Sequence, residues 1–352
     1  MRVLVTGHEG YLGSVLVPML QNAGHDVLGL DTGFYADGTL GPAPAEVKAW
    51  RVDLRDVRPE HCDGVDAIVH LAALCNDPLG DLDPQLTYDV NYRATVRLAE
   101  AAKIAGASRF LFSSSCSLYG TGADRARGDT MLDEDSPFAP VTAYGESKVH
   151  AEAHLRDLAD DHFCPVSLRN ATAYGFSPRL RGDLVVNDLV GHALLTGQVR
   201  LRSDGSAWRP LVHVEDIGAA FLALLDAPAD RVRGRAYNIG STSENHLIRD
   251  VAHHVAQAVP GSTVTLAPGS GVDTRNYRVR CDRITADVPN FRPRWHLSAG
   301  IDQLVTEYRR HGLRLADLSG PRHQRLARIR ELQQQGLVDA QLRWTTPEAS
   351  DG

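Results

Sequence analysis

The first strong signal in the chain is a glycine-rich turn between a predicted strand and a predicted helix. The short apolar run Arg2–Thr6 leads into residues 6–13, TGHEGYLG, which carry glycines at the spacing GxxGxxG. In such a turn the first glycine allows a tight bend, the second lets the backbone approach a diphosphate, and the third lets helix and strand pack closely. The helix N-terminus then presents N–H groups to an anion. The turn therefore predicts a dinucleotide-binding βαβ unit at the start of the chain.

A carboxylate follows the second predicted strand, Asp26–Leu30. Asp31 at this position can accept hydrogen bonds from the ribose hydroxyls of a dinucleotide. It would repel a 2′-phosphate, and no arginine follows it within several residues, so NAD is predicted rather than NADP. Asp53 and Leu54 follow another short strand and are predicted near the adenine, with a plain solvated turn as the alternative.

Short apolar runs alternate with longer helical patterns through the first half of the chain, as expected for βαβ units. The predicted strands are Arg2–Thr6, Asp26–Leu30, Ala67–Leu71, Arg109–Ser113 and Val166–Asn170, and the predicted helices are Tyr11–Ala23, Leu86–Ala105 and Ala143–Asp160. This order predicts an α/β fold of the Rossmann type, with a doubly wound parallel sheet and a smaller C-terminal substrate-binding lobe.

The later chain suggests three regions. They are an NAD-binding domain at residues 1–175 to which later segments return, a substrate lobe at residues 176–310, and a helical extension and tail at residues 311–352. Leu326, Ile329 and Leu332 share one face of a predicted helix in the extension, which we expect to dock on the body or on a partner subunit. Residues 345–352 are predicted to be a frayed tail.

Composition excludes several classes of protein. The 352 residues are 43% hydrophobic and 23% charged, which is typical of a globular protein with a sizeable core. The formal net charge of −7 argues against partners that are nucleic acids or anionic membranes. We expect no signal peptide or membrane span, because the apolar runs are too short. The five scattered cysteines form no CxxC pair, so we expect no metal site, no disulfide framework and a cytoplasmic location.

A tyrosine and a lysine lie four residues apart in the third predicted helix. Tyr144 and Lys148 project from one helix face. A lysine cation favours the phenolate, so Lys148 is expected to lower the pKa of Tyr144 and make the tyrosine an acid/base group for a sugar hydroxyl. Ser115 lies in a serine-rich turn at the predicted carboxyl end of a strand, where open α/β sheets bind ligands.

Together these motifs resemble the extended short-chain dehydrogenase/reductases, and within them the NAD-dependent nucleotide-sugar epimerase/dehydratase family, over about residues 1–310. The resemblance implies that Ser115, Tyr144 and Lys148 are catalytic and that NAD is the cofactor. The residues expected to bind NAD are Gly7, Gly10, Tyr11, Leu12, Gly13, Asp31, Asp53, Leu54, Leu71, Ala72, Ala73, Asn91, Ser113, Tyr144 and Lys148.

The chain departs from the family's dehydratases at the two positions after the serine. Those enzymes carry an aspartate and a glutamate there, where this chain has Cys116 and Ser117. The resemblance therefore argues against a 4,6-dehydratase, and Ser117 also argues against a decarboxylase, which carries glutamate at that position. A nucleophilic Cys116 would need a base beside it, and none is evident in the sequence. We therefore expect Cys116 to be a small residue that lines the pocket.

The resemblance also implies substrate contacts. Residues expected to touch the nucleotide sugar are Ser115, Cys116, Ser117, Asn76, Thr172, Asn187, Arg209 and Arg275. A surface salt bridge is the alternative for each arginine, and turn formation before Pro78 is the alternative for Asn76 and Asp77. Thr172 stands where the family carries an asparagine. His70 and His213 are expected to be packed, hydrogen-bonded side chains.

These observations favour an NAD-dependent epimerase that acts on a nucleotide-linked hexose, with C4 as the expected carbon. The alternatives are a nucleotide keto-sugar reductase or dehydrogenase with the same Ser-Tyr-Lys site, and a catalytically silent NAD-binding regulator. The resemblance further implies a homodimer formed through the two long helices, at about Leu86–Ala105 and Ala143–Asp160.

Overall fold

The computed structural model describes residues 1–120, 131–271, 273 and 275–345. Its strands are β1 (Arg2–Thr6), β2 (Asp26–Asp31), β3 (Lys48–Arg51), β4 (Ala67–His70), β5 (Arg109–Ser115), β6 (Cys164–Asn170), β7 (Thr172–Tyr174), β8 (Gln198–Ser203), β9 (Trp208–His213), β10 (Ala236–Ile239), β11 (Asn245–Leu247) and β12 (Thr263–Gly271). Each of the five predicted strands is present, with bounds that differ by at most two residues at either end.

Helices cover both faces of the main sheet and build the second lobe. They are α1 (Gly13–Asn22), α2 (Asp77–Gly80), α3 (Pro84–Tyr88), α4 (Ala94–Ile104), α5 (Ala143–Asp157), α6 (Val185–Thr196), α7 (Val214–Asp226), α8 (Ala229–Val232), α9 (Ile248–Ala258), α10 (Asp282–Asp287), α11 (Leu297–Arg310), α12 (Leu315–Ser319) and α13 (Arg325–Gln334). Within the described ranges, none of them is long and apolar enough to cross a membrane.

Seven parallel strands form the main sheet in the order β10-β6-β5-β4-β1-β2-β3. The chain winds from β1 outward to β3, then returns to the other side of β1 and continues through β4, β5 and β6. The direction of winding reverses between β1 and β4, and ligands of open α/β sheets bind in the crevice at such a point. This topology confirms the predicted doubly wound, Rossmann-type sheet.

The side chains of β1 show how the sheet is buried on both faces. Successive residues of a strand point to opposite sides. Val3 and Val5 therefore pack into one apolar cluster with Leu16 of α1, and Leu4 packs into another cluster with Leu98 of α4. Because both faces are covered, β1 is a nearly continuous apolar run.

A second lobe stands at the carboxyl edge of the main sheet. Three short strands pair in the order β11-β9-β7, and β8 pairs with β12. Helices α6, α9 and α11 pack around a separate apolar core, which includes Val190, Leu201, Val251 and Leu304. Strand β10 returns from this region to the edge of the main sheet beside β6.

The helix predicted at Leu86–Ala105 is interrupted. One π-helical turn at Asp89–Arg93 separates α3 from α4. Single π turns are often found at functional sites, because they turn a side chain away from the regular helical position. Here the turn carries Asn91, whose side chain holds the segment after β4.

The C-terminal extension contains the predicted helix, α13. Ile329 and Leu332 are buried in a cluster with Leu79 and Leu86, and Leu326 packs against the same cluster. This contact confirms that the helix docks on the body of its own chain. All of the predicted tail except Thr345 lies outside the described residues.

Candidate active site

The glycine turn between β1 and α1 lies at the centre of the crevice. Gly7 has a φ of 74°, and its N–H donates to the carbonyl of Leu30 at 2.8 Å. A Cβ atom on Gly7 would lie 2.8 Å from the backbone nitrogen of Ala72, and one on Gly13 would lie 2.3 Å from the carbonyl oxygen of Gly7. Only glycine fits at both positions. The close backbone packing brings the N-terminus of α1 to the crevice wall, and this arrangement fits the diphosphate of a dinucleotide.

Asp31 ends β2 on the wall of the same crevice. One carboxylate oxygen accepts a hydrogen bond from the backbone N–H of Gly33 at 2.9 Å, and the other accepts from that of Glu9 at 3.1 Å. These two bonds fix the orientation of the half-buried carboxylate. An oriented acceptor at the end of β2 fits ribose hydroxyls and disfavours a 2′-phosphate.

Asp53 and Leu54 line the far end of the crevice, beyond β2. The Asp53 carboxylate accepts from the guanidinium of Arg55 at 2.7 Å. Burial would raise the pKa of Asp53, but its hydrogen bonds to Arg55 outweigh burial and lower the pKa. Asp53 is therefore a partly buried anion that is already paired, and Leu54 provides the apolar surface at this end.

Ser115, Tyr144 and Lys148 meet at the carboxyl end of β5. Ser115 is the last residue of that strand, and the other two lie one turn apart at the start of α5. Nζ of Lys148 donates to the carbonyl of Ser113 at 2.8 Å and lies 5.7 Å from the ring centroid of Tyr144. The Ser115 hydroxyl hydrogen-bonds to that of Ser117 at 2.7 Å and lines the same cavity wall as Tyr144. The three side chains predicted to be catalytic are thus adjacent.

Burial dominates the electrostatics of this group. It raises the pKa of Tyr144 well above the ordinary value, and the nearby Ser115 hydroxyl only partly offsets this effect. Burial also lowers the pKa of Lys148 to about 8. We predicted that Lys148 lowers the pKa of Tyr144. In the protein without cofactor the pKa of Tyr144 is raised instead, because removal of the phenol from water outweighs the charge of a lysine 5.7 Å from the ring centroid.

A single cavity of about 990 Å³ joins the glycine turn, the catalytic group and the second lobe. Its size is at the upper end of the range for ligand pockets. The predicted site residues on its wall are Gly7, Gly10, Tyr11, Leu12, Gly13, Asp31, Asp53, Leu54, Leu71, Ala72, Ala73, Asn76, Ser113, Ser115, Ser117, Tyr144, Lys148, Thr172, Arg209 and Arg275. These residues, which are distant from one another in the sequence, lie on one continuous surface.

Two arginines bring positive charge to the second-lobe side of the cavity. Arg209 is buried and pairs with Asp273 at 2.5 Å. Arg275 pairs with the same carboxylate at 3.2 Å and with Asp77 at 2.5 Å. Paired guanidinium groups keep free N–H donors in a fixed orientation, and such donors suit a diphosphate.

Cys116 and Asn187 do not lie on the cavity wall. The Cys116 thiol is buried and donates to the carbonyl of Arg169 at 3.1 Å, and burial raises its pKa well above the ordinary value. Asn187 is also buried; its side chain accepts from the N–H of Gly175 at 3.0 Å and donates to the carbonyl of Arg181 at 3.1 Å. Both side chains hold neighbouring backbone in place. We predicted that they touch the substrate, but neither lies on the cavity wall.

Asn91 lies behind the cavity wall as well. Its side chain accepts from the N–H of Leu74 at 2.8 Å and donates to the carbonyl of the same residue at 3.0 Å. Leu74 itself lines the cavity. Asn91 therefore positions the segment after β4 that faces the cofactor crevice.

The two histidines are packed and hydrogen-bonded, as predicted. His70 bonds to Thr6 at 2.6 Å and to Thr95 at 2.8 Å, and burial lowers its pKa to about 3. His213 stacks on Trp295 with ring centroids 3.9 Å apart, and burial lowers its pKa to about 4. Neither histidine is an acid/base group near neutral pH.

The sequence analysis missed several charged residues on the wall. Arg181 pairs with Asp183 at 2.9 Å, and Asp183 accepts from the amide of Asn76 at 2.7 Å. Arg325 of α13 also lines the cavity. The spacing of Arg181 and Asp183 in a segment rich in proline and arginine is a weak local signal, and the position of Arg325 depends on the path of the distant C-terminal extension.

The sheet order, the glycine turn and the Ser-Tyr-Lys group define a dinucleotide-dependent enzyme of the Rossmann type. Residues 3–240 match the model of the NAD dependent epimerase/dehydratase family. The chain belongs to this family, and its cofactor is NAD. Within the described part of the chain, no cluster of three or more histidine, cysteine, aspartate or glutamate side chains could hold a metal ion.

Comparison with known proteins also identifies NAD-dependent enzymes that act on nucleotide sugars. The chain is 33% identical over 326 residues to a UDP-glucose 4-epimerase of Mycolicibacterium smegmatis, and the match covers 88% of this chain and 99% of that protein. About an eighth of the present chain thus lies outside the match. Among solved structures, MoeE5 in complex with UDP-glucuronic acid and NAD has a TM-score of 0.74 at 28% identity, covering 88% of this chain and 99% of that one.

A second solved structure gives a similar result. The UDP-glucose 4-epimerase of Thermus thermophilus in complex with NAD has a TM-score of 0.72 at 26% identity, with 88% of this chain and 99% of that chain covered. Relatives of this protein therefore act on nucleotide sugars with NAD.

Proposed function

We propose that this protein epimerises a nucleotide-activated hexose at C4, with a UDP-sugar as the substrate class. The observation that carries the proposal is the cavity in which Ser115, Tyr144 and Lys148 lie between the glycine turn and Arg209. A proton-transfer group in one cavity with a dinucleotide site and a diphosphate-binding surface supports this reaction. The similarity to UDP-glucose 4-epimerases supports the choice of UDP and of C4.

In this mechanism Tyr144 removes the proton of the C4 hydroxyl and later returns a proton to the oxygen of the C4 ketone. Ser115 shares a hydrogen bond with the same sugar oxygen and keeps it directed at Tyr144. NAD held by the glycine turn and Asp31 would supply reversible hydride chemistry at C4, so that no net oxidation would occur.

Lys148 provides a positive charge beside this group. Its Nζ is held by the carbonyl of Ser113 and stands 4.5 Å from the centroid of the Phe112 ring. The cation favours phenolate formation at Tyr144 when the charge on the bound cofactor adds to it, since burial of the phenol otherwise opposes ionisation. In this proposal the same ammonium group would hold a ribose hydroxyl of the cofactor.

The carboxylates on the wall favour epimerisation over dehydration. Elimination of water needs an acid and a base in addition to the tyrosine. Asp77 is paired with Arg275, and Asp183 is paired with Arg181. Cys116 is turned away and Ser117 hydrogen-bonds to Ser115, so neither supplies such a group.

The experiment is incubation with a panel of nucleotide sugars, including UDP-glucose, UDP-galactose and UDP-glucuronic acid, and catalytic NAD. Proton NMR follows the anomeric signals while absorbance follows NADH. We expect a C4 epimer without net NADH. Accumulation of NADH with an oxidised sugar would favour the dehydrogenase alternative, and absence of turnover with any sugar in the panel would refute the proposed substrate class.

We further propose a homodimer formed through α4, α5 and the π turn between α3 and α4. Tyr88, Tyr92, His150 and His154 form a row of aromatic contacts on the outer face of these helices, with ring centroids 5.5–6.4 Å apart. Partly exposed aromatic side chains of this kind are enriched at protein interfaces. Light scattering should give twice the chain mass of 38.3 kDa, and a monomeric mass would refute this assembly. A cytoplasmic location stays a prediction.

A further inference from the structure

The C-terminal segment at residues 319–345, which we call the C-terminal strap, contributes directly to the cavity wall. It includes α13 and the turns that follow it. Its cavity-lining residues are Ser319, Gln324, Arg325, Leu326, Ala327, Arg330 and Leu342. The strap therefore covers the same cavity that holds the glycine turn and the catalytic group.

One edge of the strap is fastened to the segment after β2. The indole N–H of Trp344 donates to the carbonyl of Thr32 at 2.8 Å, and its ring lies 5.4 Å from that of Phe34. Arg328 of α13 donates to the carbonyl of Phe34 at 3.1 Å and pairs with Asp37 at 2.6 Å. These contacts anchor both the helix and the chain end on this side.

The other edge is fastened to the segment after β4. Ile329 and Leu332 are buried in one apolar cluster with Leu74, Leu79 and Leu86. Phe34, which follows β2, belongs to the same cluster. The strap therefore packs on the segments that follow β2 and β4, the two strands that flank β1, and it shares a cavity wall with the glycine turn.

The chain after α13 reaches the far end of the crevice. Leu342 is buried, lines the cavity and has a φ of 54°, a left-handed conformation that is strained for a leucine. Arg55 donates to its carbonyl at 3.2 Å, and Arg343 forms ion pairs with Asp53 and Asp56. A strained backbone held by these contacts places an apolar side chain beside the predicted adenine site.

Arg325 gives the strap a buried positive charge. Only 2% of the residue is exposed, and its guanidinium carbon lies 4.0 Å from the ring centroid of Tyr35. Its hydrogen bond goes to the backbone carbonyl of Arg179 at 3.2 Å, and no described carboxylate forms an ion pair with it. Nearby Arg181 already has its own partner in Asp183. A buried cation without a carboxylate at ion-pair distance is costly, so the wall at Arg325 is suited to an anionic ligand.

We propose that the C-terminal strap closes over bound NAD and that Arg325 binds the diphosphate of the dinucleotide, so that the cofactor is retained from one turnover to the next. The Arg179 carbonyl that accepts from Arg325 belongs to a residue whose N–H donates to the Ser177 hydroxyl at 3.2 Å. That hydroxyl donates to the carbonyl of Tyr11 at 2.8 Å, so a chain of hydrogen bonds links Arg325 to the glycine turn before α1. The proposal rests on NAD binding and does not depend on which sugar is epimerised.

The test measures cofactor retention in the full-length protein. Arg325→Gln removes the charge at the cavity, and Arg310→Gln removes one from the exposed end of α11 as a matched control. NAD content after desalting is measured by acid release and chromatography, and the release rate of NADH is followed by fluorescence during a chase with excess NAD. We expect Arg325→Gln to release cofactor about ten- to a hundredfold faster, as for the loss of a hydrogen bond to a charged group, and Arg310→Gln to match the wild type.

A second variant tests the strap without a change to the cavity wall. Trp344→Ala removes the anchor at Thr32 and Phe34, and we expect faster release of the cofactor with unchanged affinity of the NAD-loaded protein for UDP-sugar. Wild-type release rates in Trp344→Ala would overturn the proposed role of the strap in retaining NAD.

If Arg325→Gln retains NAD but binds UDP-sugar more weakly, the guanidinium serves a substrate diphosphate or carboxylate, and the assignment to NAD is overturned. If Arg325→Gln does not fold, Trp344→Ala and Arg325→Lys decide the question, with Arg325→Lys expected to release NAD at an intermediate rate.

Discussion

Nζ of Lys148 lies 2.8 Å from the carbonyl oxygen of Ser113, a hydrogen bond that joins helix α5 to the carboxyl end of strand β5. The bond holds a buried cation on the cavity wall and keeps Tyr144, one helical turn earlier, beside Ser115. Burial lowers the pKa of this lysine to about 8. The position that we propose for catalysis is therefore one at which the lysine charge reduces the stability of the fold.

Lys148→Met is expected to stabilise the protein while it slows turnover. The folded chain binds the lysine proton less tightly than the unfolded chain, so the cation destabilises the fold fully below pH 8, and this cost fades as the pH rises towards 10.5. After allowance for the lost bond to Ser113, the variant should gain roughly 2 kcal/mol at pH 7. Urea unfolding at pH 7 and pH 10 measures this gain. A variant that is less stable than the wild type at both values would contradict the account.

Tyr144→Phe is expected to reduce turnover by about 10²- to 10⁴-fold, because it removes the acid/base group. The glycine turn and Asp31 are unchanged, so NAD content after purification should match that of the wild type. Tyr92→Phe, on the outer face of the helices, serves as the matched control. Steady-state kinetics and cofactor analysis give both results, and a Tyr144→Phe protein with wild-type turnover would exclude the catalytic assignment.

Arg209→Gln should weaken binding of the nucleotide sugar. The guanidinium is buried on the second-lobe side of the cavity and is oriented by Asp273. Loss of a charged donor to a diphosphate should raise KM by roughly tenfold to a hundredfold, with a smaller change in kcat and no change in NAD content. Arg249→Gln, whose side chain is largely exposed, is the control. An unchanged KM would show that Arg209 only holds Asp273 in place and does not bind the nucleotide sugar.

Acid should destabilise the fold before its carboxylates are protonated. Burial lowers the pKa of His70 to about 3 and those of His213 and His323 to about 4. Each histidine binds a proton more tightly when unfolded, so stability is full above about pH 6.5 and is lost as the pH falls towards 4. Between pH 7 and pH 5 one such group contributes a loss of up to about 2 kcal/mol.

His323 allows a direct test of this pH dependence, because neither ring nitrogen has a hydrogen-bond partner within the described structure. In His323→Leu the loss of stability between pH 7 and pH 5 should be smaller than in the wild type. Thermal unfolding at the two pH values measures the difference. An identical loss of stability in both proteins would show that His323 does not contribute to the pH dependence of folding.

The sequence was sufficient for the parts of the site that depend on local spacing. Gly7, Gly10 and Gly13 follow a strand and open a helix, so their function is contained in one βαβ unit. Tyr144 and Lys148 share a helix face by their separation alone. The alternation of strands and helices predicted a doubly wound parallel sheet, and the structure shows that its winding reverses between β1 and β4.

The direction of individual side chains could not be predicted in the same way. Cys116 adjoins Ser115 in the chain, but the tight turn after β5 sends its thiol towards the carbonyl of Arg169. Asn187 lies on the buried face of α6 and bonds to Gly175. Sequence proximity to a site does not determine which face of a turn or helix a residue occupies.

The contribution of the C-terminal extension depended on long-range packing. The spacing of Leu326, Ile329 and Leu332 predicted an amphipathic helix with one buried face. The surface that the helix covers is set by Phe34, Leu74 and Leu79, which come from distant parts of the chain. For that reason the position of Arg325 on the cavity wall emerged only from the fold.

The most direct test of C4 epimerisation uses UDP-glucose that carries deuterium at C4, with catalytic NAD in ordinary water. Hydride removal and return within one site should give UDP-galactose that retains deuterium at C4, with no accumulated NADH, as followed by proton and deuterium NMR. Loss of the deuterium to solvent, or stoichiometric reduction of NAD, would contradict the account.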